Sequence, residues 1–228
     1  MNTNMNALAH MNPRVAGAMT IIGALTMIAG AITWGASGAD LDAALTGGGI
    51  GDYLLKAHAT EDMLRINITL WTIGVLIMCA GGVQLALMGR SRPQPAGVAF
   101  FAFAIGAGSA IVFFPMWMGI VIGLAPAHAD GADHSAVAIA IGQGATIADW
   151  IATTMILSVG TVCVAQAGKG IWVPRWLVTW SYVAIVTGVL TTVGLLVGQR
   201  STYAMLDVPV GLGWMIAAGI VALRLKPR

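Results

Sequence analysis

Six long stretches of this chain carry almost no charge, and that limits its fold more than any other feature. They run at residues 14–36, 63–89, 96–125, 136–167, 174–198 and 208–224. A bilayer's hydrocarbon core is about 30 Å thick, so a spanning helix needs about 20 apolar residues. Lipid offers no partner for backbone N–H and C=O groups, and a helix satisfies them within one segment. The stretches are rich in Ala, Leu, Ile, Gly and Met and lack the period-two alternation of barrel strands. The expected fold is therefore all-α: one domain over residues 1–228, a polytopic bundle of six transmembrane helices. Composition agrees, with 9% charged residues against roughly 25% in soluble domains. A net charge of +2 without a basic run excludes a nucleic-acid partner, and two cysteines exclude a disulfide scaffold.

Cytoplasmic loops collect Lys and Arg. Arg14, Arg90, Arg92, Lys169, Arg175, Arg224, Lys226 and Arg228 fall on one side of the bundle, and Lys56, Arg65 and Arg200 on the other. The acids Asp40, Asp42, Asp52, Glu61, Asp62, Asp130, Asp133 and Asp207 flank the second side. Both termini are thus expected in the cytoplasm. The first stretch exceeds a signal-peptide core of about 7–15 residues, so it reads as an uncleaved first helix.

Proline suits a first helical turn, where its missing N–H goes unneeded. Pro13, Pro93, Pro95 and Pro174 precede or open helices one, three and five. Trp172, Trp176 and Trp180, at i, i+4 and i+8, read as an interfacial anchor on helix five. Gly119 with Gly123 and Gly194 with Gly198 form G-x-x-x-G pairs, which let helices pack closely. Besides lipid, these faces suit a second copy or a membrane partner. Pro115 is expected to kink helix three.

Asp149 is the one acid inside an apolar stretch, and intramembrane charge is a functional hypothesis by default. It lies 20 residues before Lys169, about 30 Å at the helical rise, so near the outer edge. Arg65 reaches a similar level from Arg90, and an Arg65–Asp149 ion pair between helices two and four is expected. His58, Glu61 and Asp62 fall on one helical face, and His128, Asp130, Asp133 and His134 crowd the third outer segment. Imidazole with carboxylate suits a divalent zinc, iron or manganese ion, although exposed loops commonly hold these residues without metal. No His lies mid-membrane for haem, no Lys for a Schiff base, and no nucleotide or hydrolase motif occurs. Cys79 and Cys163 read as small buried hydrophobes.

Asp149-Trp150, Pro174-Arg175-Trp176-Leu177, and the run from Asp52-Tyr53-Leu54-Leu55 to Arg65 resemble an uncharacterised family of six-helix bacterial membrane proteins. The resemblance implies the six-helix fold and a bacterial inner membrane, and no activity. The leading functional expectation is a non-enzymatic membrane protein binding a small apolar or amphipathic ligand or a partner, with no cofactor. The alternatives are a metal-dependent enzyme using the outer His, Asp and Glu residues, and a transporter using Asp149.

Overall fold

A computed structural model describes residues 12–197 and 200–225, with the backbone alone at 200–205. Lys226, Arg228 and Gly198 lie outside the described residues, as does the side chain of Arg200.

Among the described residues the regular structure is helical, apart from one isolated β-bridge between Lys169 and Val173. Its elements are α1 (Pro13–Ser37), α2 (Leu41–Gly47), α3 (Ile50–Ala59), α4 (Glu61–Leu87), α5 (Pro93–Gly119), α6 (Ala125–Ala129), α7 (Ser135–Thr153), α8 (Thr161–Gly168), α9 (Arg175–Leu196) and α10 (Arg200–Leu223). A π-helical turn at Ile120–Leu124 joins α5 to α6, and another at Thr154–Gly160 joins α7 to α8. Among the described residues, six runs are long and apolar enough to cross a membrane: Pro13–Ser37, Glu61–Leu87, Pro93–Ala129, Ser135–Gly168, Arg175–Leu196 and Leu206–Leu223. The protein is an all-α, multi-pass membrane bundle.

Helix starts follow local chemistry. The Asn12 side chain accepts the Arg14 N–H at 3.0 Å while Pro13 opens α1, and Gly38 at φ 60° closes it. Asp40 then accepts the Ala43 N–H at 3.0 Å to cap α2, and Gly48 at φ 76° ends it. Thus the segment between the first two spans holds two short helices that hydropathy did not announce. Thr60, at φ −122°, separates α3 from α4, so His58 does not share a helix face with Glu61 and Asp62. Trp172 likewise precedes its helix. Gly170 turns the chain at φ 74°, and Pro174 lets α9 begin only at Arg175. Trp172 is buried in that turn, whereas Trp176 is exposed, with its ring 6.2 Å from that of Trp180.

The tightest packing lies between α1 and α4. Ala16, Gly23 and Gly30 recur every seventh residue on α1, and Asn67, Gly74 and Gly81 do so on α4. The stripes meet antiparallel. A Cβ placed on Gly23 would lie 2.5 Å from Met78 N and 2.7 Å from Gly74 O, and one on Gly81 would lie 2.7 Å from Thr20 N. Asn67 Nδ2 donates to Gly30 O at 2.8 Å, and Trp71 Nε1 donates to Met27 O at 2.9 Å. Without a hydrophobic drive between helices in lipid, such backbone approach and interhelical hydrogen bonds hold a bundle together. On its other side α1 meets α10, where a Cβ on Gly17 would lie 2.5 Å from Gly219 O. The glycines singled out by G-x-x-x-G spacing, Gly119 and Gly123, face open space instead.

Candidate functional site

At the acid-rich end, α1, α4, α5, α7 and α10 enclose a cavity of about 720 Å³. Trp71 is its aromatic centre. The Trp71 ring lies 6.3 Å from Trp34, 6.2 Å from Phe114 and 5.6 Å from Trp117, and all four rings line the space. The helices α2 and α7 bring carboxylates to it: Asp40, Asp42 and Asp149. The described lining residues include no lysine, arginine or histidine. Ile28 and Ile32, both exposed, stand at the rim, so the space is open toward the face that lipid chains would cover.

Two hydrogen bonds tie the outer helices over this cavity. Trp150 Nε1 donates to Asp42 Oδ2 at 3.3 Å, joining α7 to α2. Trp117 Nε1 donates to the Tyr53 hydroxyl at 2.8 Å, joining α5 to α3. Tyr53 is buried, and burial pushes its hydroxyl up from 10 to about 12, against the Trp117 hydrogen bond. The folded chain then keeps this proton where the unfolded chain loses it. Stability is insensitive to the group below pH 10 and falls as pH rises from 10 through 12. In Tyr53→Phe this decline, of order 2 kcal/mol, should be missing. Below pH 10 the variant should be weaker by about 1–3 kcal/mol, because the Trp117 N–H loses its acceptor, and this gap should narrow as pH rises through 12. Denaturation of both proteins below pH 10 and near pH 12 checks this, and parallel declines would refute it.

Asp149 stands in this cavity, and no hydrogen bond or ion pair reaches it among the described residues. Arg65, expected to pair with Asp149 across helices, makes its ion pair within α4 instead, with Glu61 one turn earlier. Arg65 is half exposed, so water is its better solvent. The pair is the i,i+4 arrangement that helix geometry favours.

The outer metal candidates are dispersed. His58, Glu61 and Asp62 border a shallow open pocket. His128 Nδ1 lies 3.2 Å from Ala132 O, and Asp130 sits in the turn that follows α6. Asp133 accepts the Ser135 N–H at 3.0 Å at the start of α7, next to His134. That backbone N–H, helped by the nearby His128 and His134, holds the exposed Asp133 carboxyl below its ordinary value. Among the described residues no three His, Cys, Asp or Glu side chains come together as a metal-holding group.

Two features escaped the sequence reading. Trp34, Trp71 and Trp117 lie in the acid-rich halves of three successive spans, but nothing in their spacing shows that their rings meet. Asp207, assigned to the outer flank, is instead inside α10 and fully buried. Ser158 and Thr187 both turn toward it. Nothing in the spacing of these three residues pairs them, because they come from three separate segments.

No family model matches the chain, and neither does a curated protein or a solved structure.

Proposed function

We propose that this membrane protein is a binding component, without enzymatic activity, for a small amphipathic organic cation. The observation that carries the reading is the cavity's composition. Tilted, clustered indole and phenyl rings form its body, carboxylates stand at one end, and no basic side chain lies among its described lining. Its volume falls in the range of about 300–1,000 Å³ typical of small-molecule sites. An apolar ligand body gains from leaving water. A cationic head gains from the faces of Trp34, Trp71 and Trp117 and from a carboxylate that otherwise stays unpaired in a poorly solvated place. The ligand reaches the cavity from the lipid, past Ile28 and Ile32. In this reading the basic end faces the cytoplasm of a bacterial inner membrane, following the bias of positive loops, and the cavity lies near the opposite surface.

A matched set of probes tests this: an aryl alkyl quaternary ammonium, its neutral isostere and its anionic counterpart. Each is titrated into protein purified in an uncharged detergent, with tryptophan fluorescence as the readout. The cation should quench saturably and bind tighter than the neutral probe, and the anion should not bind. Asp149→Asn should weaken the cation at least about tenfold, as expected for losing one partner of a desolvated charge pair, and leave the neutral probe unchanged. Equal affinity for all three probes would refute the reading.

A further inference from the structure

Behind the cavity wall lies a second polar site, made wholly of oxygen. Its centre is Asp207, which is 0% exposed. Ser158 Oγ lies 2.8 Å from Asp207 Oδ1 and 2.8 Å from Ala184 O. Thr187 Oγ1 lies 2.9 Å from the same two atoms. The four oxygens therefore close a ring of four short contacts. Each hydroxyl has a single proton to donate, so Ser158 and Thr187 can fill only half of the ring. The other two contacts set oxygen against oxygen. The second carboxylate oxygen, Oδ2, is buried and has no hydrogen-bond partner among the described residues.

The surrounding backbone is shaped to hold this arrangement. Ser158 sits on the π-helical turn Thr154–Gly160, and π-turns inside α-helices are frequent at functional sites. Gly188 leaves the space that Ser158 occupies; a Cβ there would collide with its hydroxyl. Pro209, two residues after Asp207, has no N–H and so withholds one helical hydrogen bond from this turn of α10.

We propose that Asp207, Ser158, Thr187 and the Ala184 carbonyl form a binding site for a sodium ion. Hard cations take carboxylate, hydroxyl and carbonyl oxygens, the donor types assembled here. One carboxylate balances one positive charge, whereas a divalent ion would leave a net charge buried. A cation against Oδ2 and the ring relieves both the unmade contacts and the orphaned oxygen. The site does not depend on the cavity ligand, although Leu157 and Val208, the neighbours of Ser158 and Asp207, line the cavity.

The test is thermal unfolding of the purified full chain while sodium replaces N-methylglucamine at constant pH and chloride, with no cavity probe present. Sodium should raise the melting temperature saturably, by roughly 3–8 °C at high excess, and potassium should do so more weakly. Asp207→Asn should abolish the rise. Thr187→Val, which keeps shape and burial, should raise the half-maximal sodium concentration at least about tenfold and keeps the test available if Asp207→Asn does not fold. A wild-type melting temperature indifferent to sodium, including one that responds to pH alone, overturns the proposal, as does an undiminished sodium response in Asp207→Asn. Cation selectivity in the probe titration can succeed or fail independently of this result.

Discussion

Gly23→Ala should destabilise the bundle by about 2 kcal/mol or more, while the same substitution at Gly119 or Gly123 should leave stability unchanged or slightly higher. Alanine is ordinarily the better helix former, by about 1 kcal/mol, so a purely local view predicts stabilisation at all three positions. Packing reverses the sign at Gly23. Its new methyl would meet the backbone of α4, at Met78 N and Gly74 O, rather than a flexible side chain. Backbone cannot swing aside, so α1 and α4 must separate. Overpacking of this kind costs about 1–3 kcal/mol and occasionally more. Separation also stretches the Asn67–Gly30 and Trp71–Met27 hydrogen bonds. At Gly119 and Gly123 a methyl meets nothing within 4 Å. Reversible unfolding of the three variants in detergent checks the ranking. Equal effects at Gly23 and Gly119 would mean that α1 and α4 are not packed on the seven-residue stripes.

The same contrast shows what the sequence can and cannot disclose. The six spans were legible because lipid forces each one to be long, apolar and internally hydrogen-bonded. The starts at Pro13 and Pro93, and at Arg175 just after Pro174, were legible because proline acts on its own turn. The α1–α4 contact was visible in principle, as glycines and small residues every seventh position, but a search for four-residue spacing pointed to Gly119 and Gly123. The outer helices α2 and α3 were hidden because short interfacial helices leave little hydropathic trace. Asp149 stands out in the sequence as an acid inside an apolar stretch, but its surroundings are not readable there. It shares the cavity with Asp42 of α2 and with rings from α1, α4 and α5, which only the fold assembles. Asp207 was misplaced because an acid at the end of a hydrophobic run looks like a loop residue until the helix is seen to begin at Arg200.

The second large effect concerns the cavity. Ala145, on α7, is buried and lines it. Ala145→Trp should fill much of the space between Asp149 and the aromatic wall and reduce binding of a cationic amphiphile at least about a hundredfold. Steric exclusion of a ligand body removes most of the apolar contact that holds it. The fold should survive better than in Gly23→Ala, because the added side chain borders a cavity rather than the backbone of a neighbouring helix. Loss of binding with an unchanged melting temperature would separate exclusion from unfolding.

The most direct measurement of the central claim is to locate the bound ligand. A quaternary ammonium amphiphile carrying a diazirine on its apolar body is irradiated with the purified protein, and the labelled peptides are identified by mass spectrometry. Adducts are expected on Met27, Trp71, Phe113 and Phe114, suppressed by an excess of unlabelled cation and absent from Ala145→Trp. Labelling confined to outward-facing residues such as Ile22, Phe101 and Val186, insensitive to competitor, would contradict that claim.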